Sequence, residues 1–315
     1  MTPQPLITLF TSPKPFTNPH INLIQRNAIR SWVELGDKVA VVLLGDEEGM
    51  AEAANELKVG HIREVERNEQ GTPLISTLFE KAREVNQSPL LVYVNADIIL
   101  LPNFVTAAER LLQQTQAFLM IGQRYDMDIT TPLDFSEGWQ RRLQAECGNI
   151  GKLHKPMGSD YFVFPRTCFT QIPDFAIGRA GWDNWMIYEA RRQGWRTVDA
   201  TTDVLIIHQQ HDYSHLPGGQ AHYRLPETGE NVRLAGGKRH IFLLTDANGR
   251  LVNGQLKRKA LTWQRFWREV ELFPLVHLHS GFIANLFFAI FHPRKAYNEL
   301  RKSQKEKSSR EEILD

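Results

Sequence analysis

The sequence predicts an α/β fold built around an open sheet of parallel strands. In the first third of the chain, apolar runs typical of strands alternate with segments whose apolar residues recur at helical spacing. The strand-like runs are continuous rather than alternating, as in parallel strands that helices cover on both faces. Three of these runs end in polar side chains, and ligands bind at such strand ends in open α/β sheets.

The predicted elements follow in the order strand, helix, strand. The first strand is LITLFTS, and the segment after it places apolar residues at helical spacing from Ile21 to Leu35. A second strand (KVAVVLLGD), a helix (GMAEAANEL) and a third strand (HIREVE) come next. TPLISTLFEKAREV predicts a helix with Pro73 near its start, and LLVYVNADIIL predicts the fourth strand. This order favours a Rossmann-like sheet.

Composition limits the class of protein. The chain has 315 residues, of which 42% are hydrophobic and 23% are charged, so it can bury a sizeable core. Its net charge of +1 gives no bulk attraction to nucleic acid. Cys147 and Cys168 form no CxxC pair, which argues against a disulfide framework or a thiolate metal site and favours a reducing compartment. Because the N-terminus carries no secretory signal, the expected location is the cytoplasm.

Two side chains at the end of the fourth strand predict a cation site. Asn95 and Asp97 are two residues apart, so on a strand both would point to the same side. A carboxylate beside a neutral oxygen donor suits Mg2+ or Mn2+ with open positions for a diphosphate. The alternative is structural, since Asn and Asp commonly end strands and cap the following turn.

The second half of the chain, richer in aromatic residues and glycine, supplies two further candidate sites. Asp183 in GWDNW precedes a helix predicted to end near Gly194. It is either a helix cap or a general base for an acceptor hydroxyl. A strand in VLIIHQQHDYSH ends at His208, which is either a second ligand for a cation at Asp97 or a satisfied core residue. The residues expected to line a loop over the substrate are His211, Asp212, Tyr213 and His215.

The order of these features resembles the GT-A fold glycosyltransferases, especially the family 2-type enzymes. The fourth strand ends in NAD, a variant of the DxD motif. GSDYFVFPRTCFTQIPDFAIGRAGWDNWMIYEARRQGWRTVDA is similar to the run that leads into the helix with the proposed base, and the similarity covers most of residues 5–215. It implies an open mixed sheet flanked by helices. It also implies transfer of a sugar from a nucleotide-diphosphate sugar, most commonly a UDP-sugar, to an acceptor hydroxyl, assisted by Mn2+ or Mg2+ and with inversion.

The resemblance implies roles for individual residues. Asp183 matches the base, and Asp97 and His208 match cation ligands. The positions that match nucleotide-sugar contacts are Thr11, Ser12, Asp46, Asn68, Gly71, Asn95 and Asp97. The residues expected on the acceptor side are Asp160, Trp182, His211, Asp212, Tyr213 and His215. Two positions depart from the family pattern, since Asn95 replaces the usual first Asp and Asn184 breaks the ED pair after Asp183.

The resemblance and the sequence pattern after it together predict how the chain is divided. Residues 1–225 are expected to form the catalytic domain, with a nucleotide-binding half (1–115) and an acceptor and catalytic half (116–225). Residues 226–262 are expected to form a loop- and hairpin-rich cover, and residues 263–315 a helical extension with a charged tail. Polar residues interrupt LFPLVHLHSGFIANLFFAIF, so a transmembrane helix is not expected. Flanking aromatic and basic residues favour a peripheral membrane contact through residues 263–295. The alternative is packing on the catalytic domain or a homodimer contact.

Other functions stay open at this point. No GxGxxG follows the first strand and no GxxxxGK[ST] occurs, which argues against NAD-type and P-loop proteins. A sugar nucleotidyltransferase would need a glycine-rich N-terminal loop, which LFTSPKPF lacks. Asn95 is compatible with a non-catalytic nucleotide-sugar or glycan-binding protein, and retaining glycosyltransferases share the GT-A fold. The expected partners are a nucleotide sugar and a glycan or glycolipid acceptor. The aromatic residues expected to stack on the acceptor are Tyr161, Phe162, Trp182, Trp185 and Tyr213.

Overall fold

The computed structural model describes residues 4–211 and 225–301. Within this part the protein combines a nine-stranded sheet, a four-stranded sheet and helices, which confirms the predicted α/β class. The chain forms two compact units: the first contains both sheets and ends at Lys259, and the second contains Arg192–Gly194 together with the helical segment that follows Lys259.

The large sheet is mixed. From one edge to the other its strands are β13 (Gln255–Arg258), β12 (Gly249–Val252), β10 (Arg196–Asp199), β6 (Phe118–Ile121), β9 (Tyr161–Pro165), β4 (Leu90–Val94), β1 (Ile7–Thr11), β2 (Val39–Leu44) and β3 (Gly60–Ile62). Neighbouring strands are parallel, except that β9 is antiparallel to β4 and β6, and β13 is antiparallel to β12. Every residue of β1, β4 and β9 is buried, so both faces of the sheet centre are covered.

The small sheet lies within the same unit. Its strands, in spatial order, are β5 (Ile98–Leu100), β11 (Ile206–Gln209), β7 (Tyr125–Met127) and β8 (Lys152–Leu153). Strand β11 is antiparallel to β5 and parallel to β7, and its pairing with β7 places His208 opposite Asp126. This register positions much of the candidate site described below.

Seven helices of the first unit are described: α1 (Pro19–Val33), α2 (Met50–Leu57), α3 (Ile75–Val85), α4 (Asn103–Gln114), α5 (Trp139–Ile150), α6 (Trp182–Arg192) and α7 (Pro226–Leu234). Helix α1 begins after Asn18, whose side chain accepts hydrogen bonds from the backbone N–H groups of His20 and Ile21. Its fully buried Trp32 donates from Nε1 to the carbonyl of Ile98 at 2.9 Å. Helix α1 is thereby fixed to the start of β5.

The predicted fourth strand is two strands, and this part of the prediction is wrong. Leu90–Val94 belongs to the large sheet and Ile98–Leu100 to the small one, with Asn95–Asp97 between them. Asn and Asp tolerate turn conformations, and here they divert the chain from one sheet to the other. The apolar pattern resumes after Asp97, so the pattern predicts a single strand with two polar residues at its end rather than a turn between two strands.

The second unit contains helices α8 (Trp263–Val276) and α9 (Gly281–Phe291). Thr262 and Ser280 cap them, each accepting a hydrogen bond from a backbone N–H three residues on. The rings of Trp267 and Phe291 lie 5.9 Å apart, so the start of α8 meets the end of α9. Among the helices of residues 4–211 and 225–301, none is long and apolar enough to cross a membrane.

Candidate active site

Polar residues converge where strands of the large sheet end. Strands β1, β2 and β4 are parallel, so their carboxyl ends share one edge. Strand β9 runs the opposite way and begins at that edge, which brings Asp160 beside Asn95. The Asn95 N–H donates to the Asp160 carbonyl at 2.9 Å, and Asn95 Nδ2 donates to Asp160 Oδ1 at 3.0 Å.

Asp97 and two histidines form the centre of the site. Asp97 Oδ2 lies 3.0 Å from His211 Nε2 and 3.8 Å from His208 Nε2. One ligand atom from each residue lies within 4.8 Å of the other two. Asp97 Oδ1 is buried without a hydrogen-bond partner among the described residues. A carboxylate with an orphaned oxygen and two imidazoles fits a divalent metal, and the nitrogen donors suit Mn2+ better than Mg2+.

The electrostatics of Asp97 favour its ionised form. Burial alone would raise the pKa of this carboxyl group. The neighbouring charge of His208, the hydrogen bond from His211 and the Lys14 ammonium outweigh burial and hold the pKa of Asp97 well below its usual range. The carboxylate is therefore available to a cation at neutral pH.

Lys14 reaches this cluster from the loop after β1. Its backbone is held by the buried side chain of Gln25 on α1, which accepts from the Lys14 N–H at 2.7 Å and donates to the Lys14 carbonyl at 2.9 Å. Lys14 Nζ lies 3.3 Å from His211 Nε2. Burial lowers the pKa of Lys14, and the charge of Asp97 opposes this effect. Sequence reasoning missed Lys14, whose only signal is its place just beyond the end of β1.

Asp126, on β7, is hydrogen-bonded to His208 on the side of the ring that faces away from Asp97. Its Oδ1 lies 3.0 Å from His208 Nδ1, and its Oδ2 lies 2.8 Å from His154 Nδ1. Arg124 donates to Asp126 Oδ1 at 2.9 Å and to Asp160 Oδ1 at 2.7 Å. Through Asp160, this network connects the Asp97 cluster to Asn95 at the end of β4. Sequence reasoning missed Arg124, Asp126 and His154.

Asp183 lies in the first turn of α6, where the Gly181 N–H donates to its Oδ1 at 3.2 Å. Burial raises the pKa of Asp183 to about 6, against the opposing effect of backbone hydrogen bonds. Tyr93 relates this residue to the rest of the site, because its hydroxyl donates to Asn95 Oδ1 at 3.1 Å and its ring packs on Trp182, the residue before Asp183, with centroids 4.9 Å apart. Asp183 is thus a carboxylate of raised basicity in the same neighbourhood as Asp97.

The predicted nucleotide contacts lie in two places. The first is the end of β1, where Thr11 is the last residue of the strand and Ser12 follows it. The Thr11 hydroxyl is buried without a partner among the described residues. Asp46 follows β2 and is exposed, forming an ion pair with Arg63 at 2.9 Å. The second place is the turn that carries Asn68 and Gly71.

In that turn, Asn68 accepts hydrogen bonds from the backbone of residues 70 and 72. Its Nδ2 donates to Glu227 Oε1 on α7 at 2.8 Å, and Glu227 also pairs with Arg179 at 2.6 Å. Gly71 has a φ of +80°, which suits glycine. The structure thus joins Asn68 to α7 by direct hydrogen bonds rather than to the Asp97 cluster.

Several sequence expectations are corrected here. Asn95 and Asp97 do not address one ligand from the same side of a strand, because they lie in a turn, where Asn95 turns to Asp160 and Asp97 to His211. Tyr161 and Phe162 are fully buried, so the expected stacking on a sugar is wrong for both rings. Trp182 and Trp185 are also buried, at 5% and 7% exposed, and Tyr213 lies outside the described residues.

The acceptor-side residues fall into three groups. Trp182 is 5% exposed and packs on Tyr93 with ring centroids 4.9 Å apart. Asp160 binds Asn95 and Arg124, and His211 belongs to the Asp97 cluster. Asp212, Tyr213 and His215 lie outside the described residues.

No protein-family model and no curated protein matches the chain. Among solved structures, the mannosyltransferase of Pyrobaculum calidifontis in complex with GDP-Man and Mn2+ is 15% identical, with a TM-score of 0.42 over 65% of this chain and 57% of its own. Glucosyl-3-phosphoglycerate synthase of Mycobacterium tuberculosis is 16% identical, with a TM-score of 0.47 over 74% of this chain and 81% of its own. Its complex with Mn2+, uridine-diphosphate and phosphoglyceric acid is 14% identical, also with a TM-score of 0.47, over 74% of this chain and 79% of its own. The chain spans little more than half the length of the mannosyltransferase.

Proposed function

We propose that the chain is a glycosyltransferase that moves a sugar from a nucleotide-diphosphate sugar to an acceptor hydroxyl with inversion. The observation that carries this proposal is the pairing of two chemically different groups at one edge of an α/β sheet. One is the cluster of Asp97, His208 and His211, and the other is Asp183 with its raised pKa. They match the two needs of the reaction, which are stabilisation of a departing diphosphate and removal of a proton from the acceptor.

On the donor side, Asp97, His208 and His211 would hold Mn2+ or Mg2+. When bound, such a cation supplies Lewis-acid stabilisation of the negative charge that develops on the leaving diphosphate. Contacts of the nucleoside with Thr11, Ser12, Asp46, Asn68 and Gly71 are part of the proposal, with uridine as the base. Asp126 and Arg124 keep the imidazole of His208 and the carboxylate of Asp160 in place.

On the acceptor side, Asp183 takes the proton of the hydroxyl whose oxygen attacks the anomeric carbon. The bond from that carbon to the diphosphate oxygen breaks, and its electron pair stays on the diphosphate. A base with a pKa of about 6 is mostly ionised at neutral pH, yet it is more basic than an ordinary Asp. The proposed acceptor is a glycan or a glycolipid.

Calorimetric titration with a panel of nucleoside diphosphates, with and without Mn2+, tests this proposal. We expect one nucleotide to bind the wild type only with Mn2+, and Asp97→Asn to lose this binding. Exposed Asp128 supplies a matched control, since Asp128→Asn leaves the cluster intact. Failure of every nucleotide to bind would overturn the proposal, and binding without transfer to any acceptor would favour a non-catalytic nucleotide-sugar-binding protein.

We also propose that α8 and α9 contact acidic lipid at the cytoplasmic face of a membrane. Eleven of the sixteen exposed large hydrophobic side chains in the described chain lie between Leu261 and Leu300. Phe282, Leu286 and Ile290 are 83%, 54% and 66% exposed and follow one another at four-residue spacing, so they form one stripe on α9. Isolated exposed apolar residues are ordinary, whereas a contiguous patch of this kind marks a binding surface.

Charge selects acidic lipid as the occupant of this surface. Arg294 and Lys295 follow α9 directly, at the end where Phe291 meets Trp267. The sequence from 272 to 298 contains no acidic residue. Aromatic rings beside basic side chains are typical of helices that lie in the interface between lipid headgroups and acyl chains. With 11 residues, α9 is about 16 Å long, whereas a bilayer core is about 30 Å thick.

A further inference from the structure

One nitrogen atom in the candidate site lies near two partners that require different protonation states of it. His211 Nε2 lies 3.0 Å from Asp97 Oδ2 and 3.3 Å from Lys14 Nζ. A ring nitrogen carries either a proton or a lone pair. It therefore cannot donate to the Asp97 carboxylate while it accepts from the Lys14 ammonium. For the same reason, it cannot accept from the ammonium while it binds a cation.

The Lys14 backbone is fixed, whereas the ammonium can turn. Gln25 clamps both the N–H and the carbonyl of Lys14, and Pro13 and Pro15 restrict the backbone on either side. The side chain beyond Cα has four rotatable bonds and three N–H donors at its tip. Lys14 forms no ion pair with any described carboxylate, although Asp97 is close enough for its charge to act on Lys14.

The charges at the cluster leave room for a polyvalent anion. Asp97 is the one acidic residue in the cluster that it forms with His208 and His211. A divalent cation bound by one carboxylate and two neutral imidazoles keeps one positive charge, and the Lys14 ammonium adds another. These two like charges repel each other unless an anion lies between them. A diphosphate has enough negative charge and enough oxygens to bind both.

We infer that Lys14 couples the binding of a divalent cation to the binding of a diphosphate. Lys14 releases His211 Nε2 when the cation binds, and its ammonium then donates to a diphosphate oxygen. Each ligand therefore raises the affinity for the other by the same factor. The coupling depends on the proposed function in one respect only, which is that the diphosphate belongs to the nucleotide-sugar donor.

The test compares full-length wild type with Lys14→Met, Lys14→Arg and Lys81→Met. Mn2+ affinity without other ligand is measured by electron paramagnetic resonance, and affinities for inorganic pyrophosphate, UDP and UMP at saturating Mn2+ are measured by calorimetry. In Lys14→Met we expect Mn2+ alone to bind about 3- to 10-fold more tightly because a competing charge is gone. We expect pyrophosphate and UDP to bind about 10- to 100-fold more weakly because a charge-assisted hydrogen bond is lost. UMP is expected to change less than UDP.

The controls separate charge from folding. Lys14→Arg keeps the positive charge and is expected to keep the sign of the coupling. Lys81 on α3, which is partly exposed and pairs with Glu84, tests the loss of a lysine outside the site. A merely structural role for Lys14 would weaken Mn2+ and pyrophosphate together, and that result would overturn the coupling, as would no change in either affinity. If wild type binds Mn2+ with pyrophosphate but with no nucleotide, the proposed function fails while the coupling stands.

Discussion

His208 and Asp126 face each other on the paired strands β11 and β7, with His208 Nδ1 3.0 Å from Asp126 Oδ1. The other oxygen of Asp126 lies 2.8 Å from Nδ1 of His154, which follows β8 on the opposite side. Because the Asp126 carboxylate accepts the proton of His208 Nδ1, the neutral form of His208 would carry its lone pair on Nε2, which faces Asp97 at 3.8 Å. Asp126 therefore positions a candidate ligand without touching the cation.

We expect Asp126→Asn to weaken Mn2+ binding by about 10- to 100-fold. The amide still fills the space, but its NH2 group competes with its oxygen for His208 Nδ1 and favours the wrong tautomer. Long-range 1H–15N correlation spectra of labelled protein would show a new Nε2–H signal for His208. Exposed Asp128 is the matched control, and Asp128→Asn should change neither observable. An unchanged tautomer with unchanged Mn2+ affinity would contradict the positioning role.

The side chain of Asn95 is hydrogen-bonded to Asp160, and we expect Asn95→Asp to destabilise the protein. The Asn95 amide donates to Asp160 Oδ1 at 3.0 Å, so the new carboxylate would face an existing one at this distance. Repulsion should lower the free energy of unfolding by about 1–3 kcal/mol at pH 7, as measured by urea denaturation. Because repulsion favours the protonated form of the new carboxyl group, the folded variant should bind the extra proton more tightly than its unfolded chain, and stability should recover as the pH falls.

A second substitution checks this explanation. Combining Asn95→Asp with Asp160→Asn reverses donor and acceptor, and it should recover part of the lost stability. If Asn95→Asp is instead as stable as wild type and binds Mn2+ more tightly, then Asn95 belongs to the cation site and not to Asp160.

Hydrophobic pattern predicted the part of the fold in which strands are long and fully covered. Strands β1, β2 and β4 are runs of five or six residues with continuous apolar character. The small sheet was not predicted, although its strand β11 was, because strands of two or three residues such as β7 and β8 are too short to establish a period. Its partners are also distant in sequence, so only the folded chain brings them together.

The same distinction applies to the site. Asp97 and His208 carry a local signal, since each follows or ends an apolar strand, and the structure brings them together. Lys14 meets His211 across 197 positions and Asp126 meets His208 across 82, and no spacing rule relates such pairs. The buried orphan oxygen of Asp97 is likewise a property of packing, which a sequence motif cannot report.

The lipid contact of α9 predicts that its exposed stripe controls membrane binding. Phe282→Ser, Leu286→Ser and Ile290→Ser together should reduce co-sedimentation with phosphatidylserine-containing vesicles by at least about 10-fold, because buried apolar area drives interfacial binding. Binding should also weaken with salt and be lower on phosphatidylcholine alone.

Three exposed apolar side chains of the first unit supply a matched set of changes. The control variant combines Ile150→Ser, Leu153→Ser and Met157→Ser, whose parent residues are 56%, 47% and 62% exposed. This variant should bind vesicles like wild type. If the α9 variant instead dissociates a dimer in solution and leaves vesicle binding unchanged, the stripe is a contact between two copies of the chain.

Asp183 should show opposite effects on activity and stability. Its pKa is raised from 3.8 to about 6, so the folded protein binds this proton more tightly than the unfolded chain does. Stability therefore falls as the pH rises through this range, because the buried carboxylate must ionise. Asp183→Asn removes that cost, and its free energy of unfolding at pH 7.5 should exceed that of wild type by about 1–3 kcal/mol.

The same substitution should lower the rate of sugar transfer by about 100- to 10,000-fold. In wild type, kcat/KM should rise with pH to a plateau above about 6, since the base must be ionised. Asp37→Asn changes an exposed acid and should move neither quantity. If Asp183→Asn loses stability and keeps its transfer rate, then Asp183 is a helix cap and the base lies elsewhere.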